Sequence, residues 1–132
     1  GESMCLLDTV DSWDDSTIIC RTSSHRDEWN PLRVRGRLMV TAGLEYAAQA
    51  MGVHVGLLNG GLGTAKQIGF IGSVRDVTFT GNRLDDLPED LTVAATRLLE
   101  GDSSYIYSFN VTHAGSPLIE GRASIFIRAV SS

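Results

Sequence analysis

The pattern of apolar and polar residues divides the chain into a short strand-like beginning, one long apolar segment and a strand-rich second half. Residues 4–23 read as two strands around the turn residues at 14–16. Residues 38–58 are almost continuously apolar, and their apolar positions cover every side of a helix. We therefore predict a central helix, buried on all sides, with Thr41 as its N-cap and the NGGLGT glycines at its end.

The second half of the chain has the pattern of antiparallel strands. After Thr64, four segments rich in β-branched and aromatic residues are separated by turn signals, which predicts roughly a four-strand antiparallel meander. Residues 24–37 have no clean period and contain Pro31 and Gly36, so they are predicted to form a loop. A curved antiparallel sheet wrapped around the helix would bury both. We therefore predict a single α+β domain over residues 1–132.

Composition and charge exclude several classes of protein. The chain is 42% hydrophobic and 20% charged, which is typical of a soluble globular protein. Its net charge of −5 argues against nucleic acid as the main partner. The two cysteines, Cys5 and Cys20, form no CxxC or Cys/His cluster, so we expect a cytoplasmic protein with neither a disulfide framework nor a metal. The polar residues and glycines within the apolar segment favour a buried helix over a membrane span.

Glu45 is the one carboxylate in the apolar segment, and it is the first candidate for chemistry. Because burying an unpaired carboxylate is very costly, such a residue is usually paired, protonated or used. On a helix Glu45 shares a face with Gln49, whereas His54 lies about half a turn away. The structural alternatives are that Glu45 caps a backbone group, that Gln49 orients a neighbour and that His54 belongs to the core or to an interface.

His25 lies in the loop before the helix, from which its side chain could reach the helix start. A histidine and a glutamate together suit proton transfer to and from carbon and oxygen at neutral pH. Backbone N–H groups at the helix start can hold a developing oxyanion. A plain surface histidine is the alternative for His25, and His113, in the turn THAGS, is expected to face solvent.

The charges of the chain are distributed unevenly. Between residues 21 and 37 lie five arginines and two carboxylates, a local charge of +3 in a chain of net charge −5. A basic loop beside the candidate site predicts an anionic partner there. The alternative is a solvated loop whose arginines pair with the acidic surface.

The order of elements and several strings resemble the 3-hydroxyacyl-acyl-carrier-protein dehydratases over nearly the whole chain. MCLLD resembles their FLLVD strand, and LEYAAQA resembles their helix string E-A-x-A-Q-A at Glu45, Ala48, Gln49 and Ala50. GFIGSVRDVTFT and DDLPEDLTV resemble their FLAGIDxxRF strand and the PGDxL turn after it. The strings MCLLD, SHRD with NPL, EYAAQAM and DDLP with DLTV are most similar to the divergent small dehydratases of aryl polyene clusters. This resemblance implies the hot-dog fold, one helix wrapped by a curved antiparallel sheet.

The resemblance also implies a reaction, the loss of water from 3-hydroxyacyl thioesters carried on the phosphopantetheine arm of acyl carrier protein. Such a reaction belongs to fatty-acid-like or polyene biosynthesis and needs no metal or organic cofactor. Glu45 would donate a proton to the departing hydroxyl, and a histidine, for which His25 is the local candidate, would abstract the C2 proton. The substrate-binding residues would be Gln49, Gly36, Phe70 and Ile71. The residues that dock the carrier protein would be Arg33, Arg35 and Arg37.

The departures from the family concern the histidine. The His-Phe-Pro motif of the main family is missing, and an ungapped alignment places Pro31 at its histidine position. Glu45 therefore matches by position and His25 by chemical type alone, at a longer spacing from the glutamate. The family has a short segment before FLLVD, so we expect this chain to begin late.

The family's subunits pair so that the histidine of one lies near the glutamate of the other, and we expect a homodimer with Glu45 buried at the helix start. A non-catalytic or half-catalytic subunit of a heterodimeric dehydratase is one alternative. A hot-dog acyl thioesterase is the other, in which Glu45 activates water or attacks the thioester directly.

Overall fold

The computed structural model describes residues 6–58, 67–101 and 104–129, and the side chains of residues 67–71, 100 and 127–129 lie outside that description. The strands are β1 (Thr9–Trp13), β2 (Thr17–Thr22), β3 (Gln67–Phe79), β4 (Leu91–Glu100), β5 (Ser104–His113) and β6 (Ser116–Ala129). The helix α1 spans Gly43–Leu58 and follows the 3-10 turn Val40–Ala42, and a second 3-10 turn spans Ser24–Arg26.

The six strands form one antiparallel sheet in the order β1-β2-β4-β5-β6-β3. The predicted pair of strands around residues 14–16 is confirmed, and the Asp14 carboxylate tightens the turn by accepting the N–H groups of Ser16 and Thr17, each at 2.8 Å. The predicted combination of one long helix with an antiparallel sheet is also confirmed.

The predicted four-strand meander is correct for β4, β5 and β6 and wrong for β3. β3 lies at the far edge beside β6, while β4 pairs with β2. Residues 80–90 carry the chain between the two positions, and they are fixed to the segment before α1. Val40 donates its N–H to Asn82 O at 2.9 Å, and Leu84 donates to Leu38 O at 2.7 Å.

The start of α1 differs from its prediction by one residue. Thr41 lies inside the 3-10 turn rather than at an N-cap, and the α-helix begins at Gly43. A Cβ atom on Gly43 would lie 2.1 Å from Ile119 Cδ1, so the glycine allows the helix to pack directly on β6. The predicted NGGLGT helix end falls outside the described residues.

The two sides of α1 are buried to different extents. One side is buried against the sheet, by Gly43, Tyr46, Ala47, Ala50, Met51, His54, Val55 and Gly56. The other side is the open side of α1. There Glu45 is exposed, and the half-buried residues are Ala48, Gln49, Gly52 and Val53. The predicted burial of the helix on all sides is therefore wrong for the single chain, because the sheet covers one side of it. Across the described ranges, no helix is long and apolar enough to cross a membrane.

Candidate active site

Glu45 lies in the first turn of α1 and its side chain is exposed. The expectation that Glu45 is buried is wrong for the single chain, because the carboxylate projects from the side of α1 that the sheet does not cover. Within the described part of the chain, Glu45 forms no ion pair or side-chain hydrogen bond. Its position in the first turn places it beside helix N–H groups that have no partner within the helix.

Gln49 lies one helical turn after Glu45 and holds the N-terminal segment. Its Oε1 atom accepts the backbone N–H of Leu6 at 2.9 Å. The amide therefore fixes a neighbouring backbone group, as the structural interpretation of this residue predicts. The hydrogen bond places residues 6 and 7, both buried, beside the open side of the helix.

A buried polar network anchors the loop before α1 to the helix, directly beside Glu45. The hydroxyl of Tyr46 lies 2.8 Å from Ser24 Oγ and accepts a hydrogen bond from Asn30 Nδ2 at 3.0 Å. Asn30 Nδ2 also donates to Ser24 O at 2.8 Å, while Ser24 Oγ and Thr22 Oγ1 both donate to Leu6 O. These hydrogen bonds fix where residues 22–30 lie relative to the helix start.

His25 lies in the 3-10 turn of this loop, and its ring is fully buried. Its Nε2 atom lies 3.0 Å from the carbonyl oxygen of Leu87. Because a carbonyl can only accept, Nε2 carries the proton and Nδ1 holds a lone pair. Nδ1 is buried and has no hydrogen-bond partner among the described residues, so His25 retains one unused basic nitrogen.

Burial lowers the pKa of His25, which keeps the ring neutral at neutral pH, and the nearby charge of Arg26 acts in the same direction. The hydrogen bond to Leu87 opposes that shift. No described hydrogen bond or ion pair joins His25 to Glu45, since the ring is directed at the loop of residues 80–90. His25 is therefore in the protonation state of a base, but its ring is enclosed in the single chain.

The other two histidines form hydrogen bonds, His54 through both ring nitrogens and His113 through Nε2. His54 is fully buried, with Nδ1 2.6 Å from Tyr107 Oη and Nε2 2.7 Å from Asp14 O. The prediction of a satisfied core histidine is confirmed for His54. His113 faces solvent in part: it is half-buried, and its Nε2 accepts the N–H of Glu89 at 3.0 Å.

The basic loop forms a small hairpin that leads into the helix. Val34 and Arg37 are bridged, and Arg35 and Gly36 between them have φ angles of 53° and 77°. Arg33 is half-buried and donates from Nη1 to Gly36 O at 2.9 Å, whereas Arg35 and Arg37 are exposed. A cleft of about 370 Å³ is lined by Val34, Arg35, Arg37 and Met39.

The predicted acyl-chain residues lie on the edge strand. Phe70 and Ile71 belong to β3, where their backbones pair with Phe126 and Ile125. Their side chains lie outside the described part of the structure. In the described ranges, no three His, Cys, Asp or Glu side chains lie close enough together to hold a metal ion.

Glu45, Gln49 and the basic hairpin therefore lie near the start of α1, whereas the ring of His25 points at the loop of residues 80–90. Sequence reasoning missed Tyr46 and Asn30, which connect the loop to the helix. The available signal was a tyrosine within an otherwise apolar helix, since a buried tyrosine hydroxyl needs a hydrogen-bond partner.

The family model for ApeP-like proteins, described as ApeP dehydratase, matches residues 1–130. The chain belongs to the ApeP-like dehydratase family. This assignment confirms the resemblance to the small dehydratases of aryl polyene clusters, and it supports an activity of the hydro-lyase type. In sequence, no curated protein is similar to the chain at a significant level.

Solved structures with the same fold include members of two enzyme classes. The dehydratase heterocomplex ApeI:P from Xenorhabdus doucetiae is 23% identical, with a TM-score of 0.82, over 93% of this chain and 82% of that chain. A mutant thioesterase from Staphylococcus aureus is 13% identical, with a TM-score of 0.65, over 91% and 92% of the two chains. A mutant thioesterase from Pseudomonas aeruginosa is 13% identical, with a TM-score of 0.60, over 92% and 81%. These similarities confirm the hot-dog fold of the ApeP-like chain.

Proposed function

We propose that this chain is a dehydratase subunit that removes water from 3-hydroxyacyl thioesters carried by acyl carrier protein. The observation that carries the proposal is Glu45. It occupies the family's glutamate position in LEYAAQA, and its exposed carboxylate has no hydrogen-bond or ion-pair partner among the described residues. An exposed carboxyl group at this position, in a chain of a dehydratase family, is available for proton transfer.

In the proposed reaction, a base takes the proton from C2 of the substrate while the C3–O bond breaks. The electron pair of the C2–H bond forms the new C2=C3 double bond, and Glu45, acting in its protonated carboxyl form, gives that proton to the departing hydroxyl, which leaves as water. N–H groups at the start of α1 hold the thioester oxygen as it gains negative charge. Gln49, anchored to Leu6, fixes one wall of this site.

The base is His25 or a residue of a partner subunit. His25 offers a neutral ring with a lone pair on Nδ1, and its own loop is bound to the helix residue next to Glu45. Its complete burial in the single chain favours the partner as the source of the base. His25 then acts as a positioning residue that joins residues 24–26 to the loop at Leu87.

A second hot-dog subunit fits the open side of the chain. The half-buried side of α1 carries Ala48, Gly52 and Val53 beside Glu45. β3 is an edge strand of 13 residues, and no described strand pairs with its outer edge. Unpaired strand edges and half-covered apolar helix faces are common association surfaces. The similar ApeI:P structure is a heterocomplex, which supports pairing with a different hot-dog subunit.

The basic hairpin is the proposed dock for the acidic carrier protein. Arg35 and Arg37 line the cleft of about 370 Å³ together with the apolar side chains of Val34 and Met39. Trp29, 84% exposed, adds a large apolar surface to the same loop. Arginine combined with exposed aromatic and aliphatic side chains is typical of binding surfaces. Arg33 supports the hairpin through Gly36 rather than facing the cleft.

The test is an assay with a 3-hydroxyacyl carrier-protein thioester, with the chain alone and with its candidate hot-dog partner. We expect formation of the enoyl thioester, and reverse hydration when the enoyl thioester is supplied. Release of a free thiol without an enoyl product would show a thioesterase instead. The double variant Arg35→Glu/Arg37→Glu is expected to weaken the carrier-protein substrate far more than a short pantetheine thioester, most strongly at low salt. Equal losses on both substrates would contradict the docking assignment.

A further inference from the structure

A cavity of about 170 Å³ opens on the outer face of the sheet, the face turned away from α1. Side chains alternate along a strand, and Ala123 and Tyr107 are buried on the inner face, so their neighbour Arg122 points outward. The cavity is lined by Arg75, Leu98, Leu99, Ile106, Arg122, Ala123 and Ser124.

Two arginines on neighbouring strands line this cavity. Arg75 of β3 pairs directly with Arg122 of β6, so both guanidinium groups lie on the same face of the sheet. Neither forms an ion pair with a described carboxylate. Like charges directly opposite each other destabilise a sheet, and an anion bound between them would remove that repulsion.

The walls of the cavity are apolar. Leu98 is 45% exposed and Leu99 is 64% exposed, and Ile106 pairs with Leu99 on the neighbouring strand. Guanidinium groups bind carboxylates through paired hydrogen bonds, whereas exposed leucines gain nothing from an inorganic anion. The combination selects an organic carboxylate with an apolar body.

The volume limits the size of that body. A protein cavity of about 150 Å³ lined by apolar side chains accommodates benzene. The 170 Å³ here therefore fits a carboxylate attached to one aromatic ring or a short aliphatic chain. A long acyl chain would extend beyond the cavity.

The cavity is separate from the start of α1. The sheet lies between the cavity and the helix. Tyr107, which pairs with Ala123 on the inner face of the sheet, binds His54 near the far end of the helix. His54 follows Glu45 by nine residues, about 14 Å along the helix axis. A ligand in the cavity would not occupy the proposed dehydratase site.

We propose that this outer-face cavity is a binding site for a small organic carboxylate of about the size of benzoate. Arg75 and Arg122 hold the carboxylate group, and Leu98, Leu99 and Ile106 cover its apolar part. The proposal does not depend on the proposed reaction.

The test is a titration of the full chain with benzoate at low salt, in which NMR chemical shifts and calorimetry measure binding. We expect saturable binding with a Kd on the order of 1 mM, and no binding of benzyl alcohol, which has the same shape without the charge. Inorganic phosphate is expected to bind more weakly than benzoate. Arg122→Gln is expected to weaken benzoate at least tenfold, about the value of one charge-assisted hydrogen bond.

Arg21→Gln is the matched control, because Arg21 is an exposed sheet arginine paired with Asp11 and lies outside the cavity. Equal weakening of benzoate binding by this control, or equal binding of phosphate and benzoate, would show that binding depends only on net charge. Either result would overturn the proposal. No saturable binding up to the solubility of benzoate would also overturn it. So would the finding that Arg122→Gln abolishes self-association in sedimentation while benzoate binding stays unchanged.

Discussion

The two ends of α1 use their polar side chains in opposite ways. Near the far end, both ring nitrogens of His54 are hydrogen-bonded, which ties the helix to β5 and to the turn after β1. Near the start, Glu45 is exposed and His25 has one buried nitrogen without a described partner. The hydrogen bonds of His54 stabilise the fold, whereas the exposed Glu45 carboxylate at the other end is accessible to substrate or to a second subunit.

The largest effect on stability is expected at His54. His54→Ala removes a buried ring together with its hydrogen bonds to the Tyr107 hydroxyl and the Asp14 carbonyl. We expect a loss of about 3–5 kcal/mol in the free energy of unfolding, because the cost of a cavity adds to the cost of two lost buried hydrogen bonds. Urea unfolding measures it.

His54→Gln, which can keep one of the two hydrogen bonds, serves as the companion variant. It should lose clearly less than His54→Ala. Equal, small losses in both variants would show that the two hydrogen bonds at this end contribute little, and the contrast between the ends would fail.

The next effect is a pH dependence that comes from His25. Its pKa is lowered in the folded chain by burial, so the unfolded chain binds a proton more readily. Stability from this group is complete above the unfolded pKa of about 6.5 and is lost as the pH falls toward the lower folded pKa. We expect His25→Gln to flatten the decline in unfolding free energy between about pH 7 and pH 5. His113→Gln, a change at the half-buried neighbour, is the comparison. An unchanged decline in His25→Gln would contradict the enclosed, neutral ring.

The smallest effect is expected on the open side of α1. A methyl group added at Gly52 would meet no atom within 4 Å. Gly52→Ala should therefore stabilise the single chain by about 0.5–1 kcal/mol, the difference between the two residues inside a helix. If a second subunit covers this side, the same change should weaken association measured by sedimentation.

Gly43→Ala is the opposite case, because its methyl group would collide with Ile119. It should destabilise the single chain.

Stronger or unchanged association in Gly52→Ala would contradict the assignment of the open side of α1 to a partner.

Local pattern was sufficient to predict the helix, the first hairpin and the presence of four later strands. The position of β3 was not predictable, because strand order depends on contacts between residues far apart in sequence. The burial of His25 has the same origin, since its ring meets Leu87 only after residues 80–90 fold across the helix start. A pattern around His25 alone could not contain that information.

The apolar surface of α1 was predicted, but what covers it was not. An apolar helix surface has the same pattern whether its own sheet or another subunit covers it. Glu45 was therefore identified correctly as a charge within an apolar helix, while its exposure in the single chain was not foreseen. The Arg75–Arg122 pair was likewise invisible in the sequence, because it requires the register between β3 and β6.

The central claim is that Glu45 carries chemistry rather than structure, and the most direct test measures rate and melting temperature together on Glu45→Gln. The substitution keeps the shape of the side chain and removes its acid. Dehydration of the carrier-linked substrate should fall by about 10²–10⁴-fold. The melting temperature should stay within about 2 °C, because an exposed side chain without described partners contributes little to stability. Glu120→Gln, an exposed glutamate on the outer sheet face, should leave both unchanged. A Glu45→Gln variant that keeps most of the dehydration rate would contradict the account.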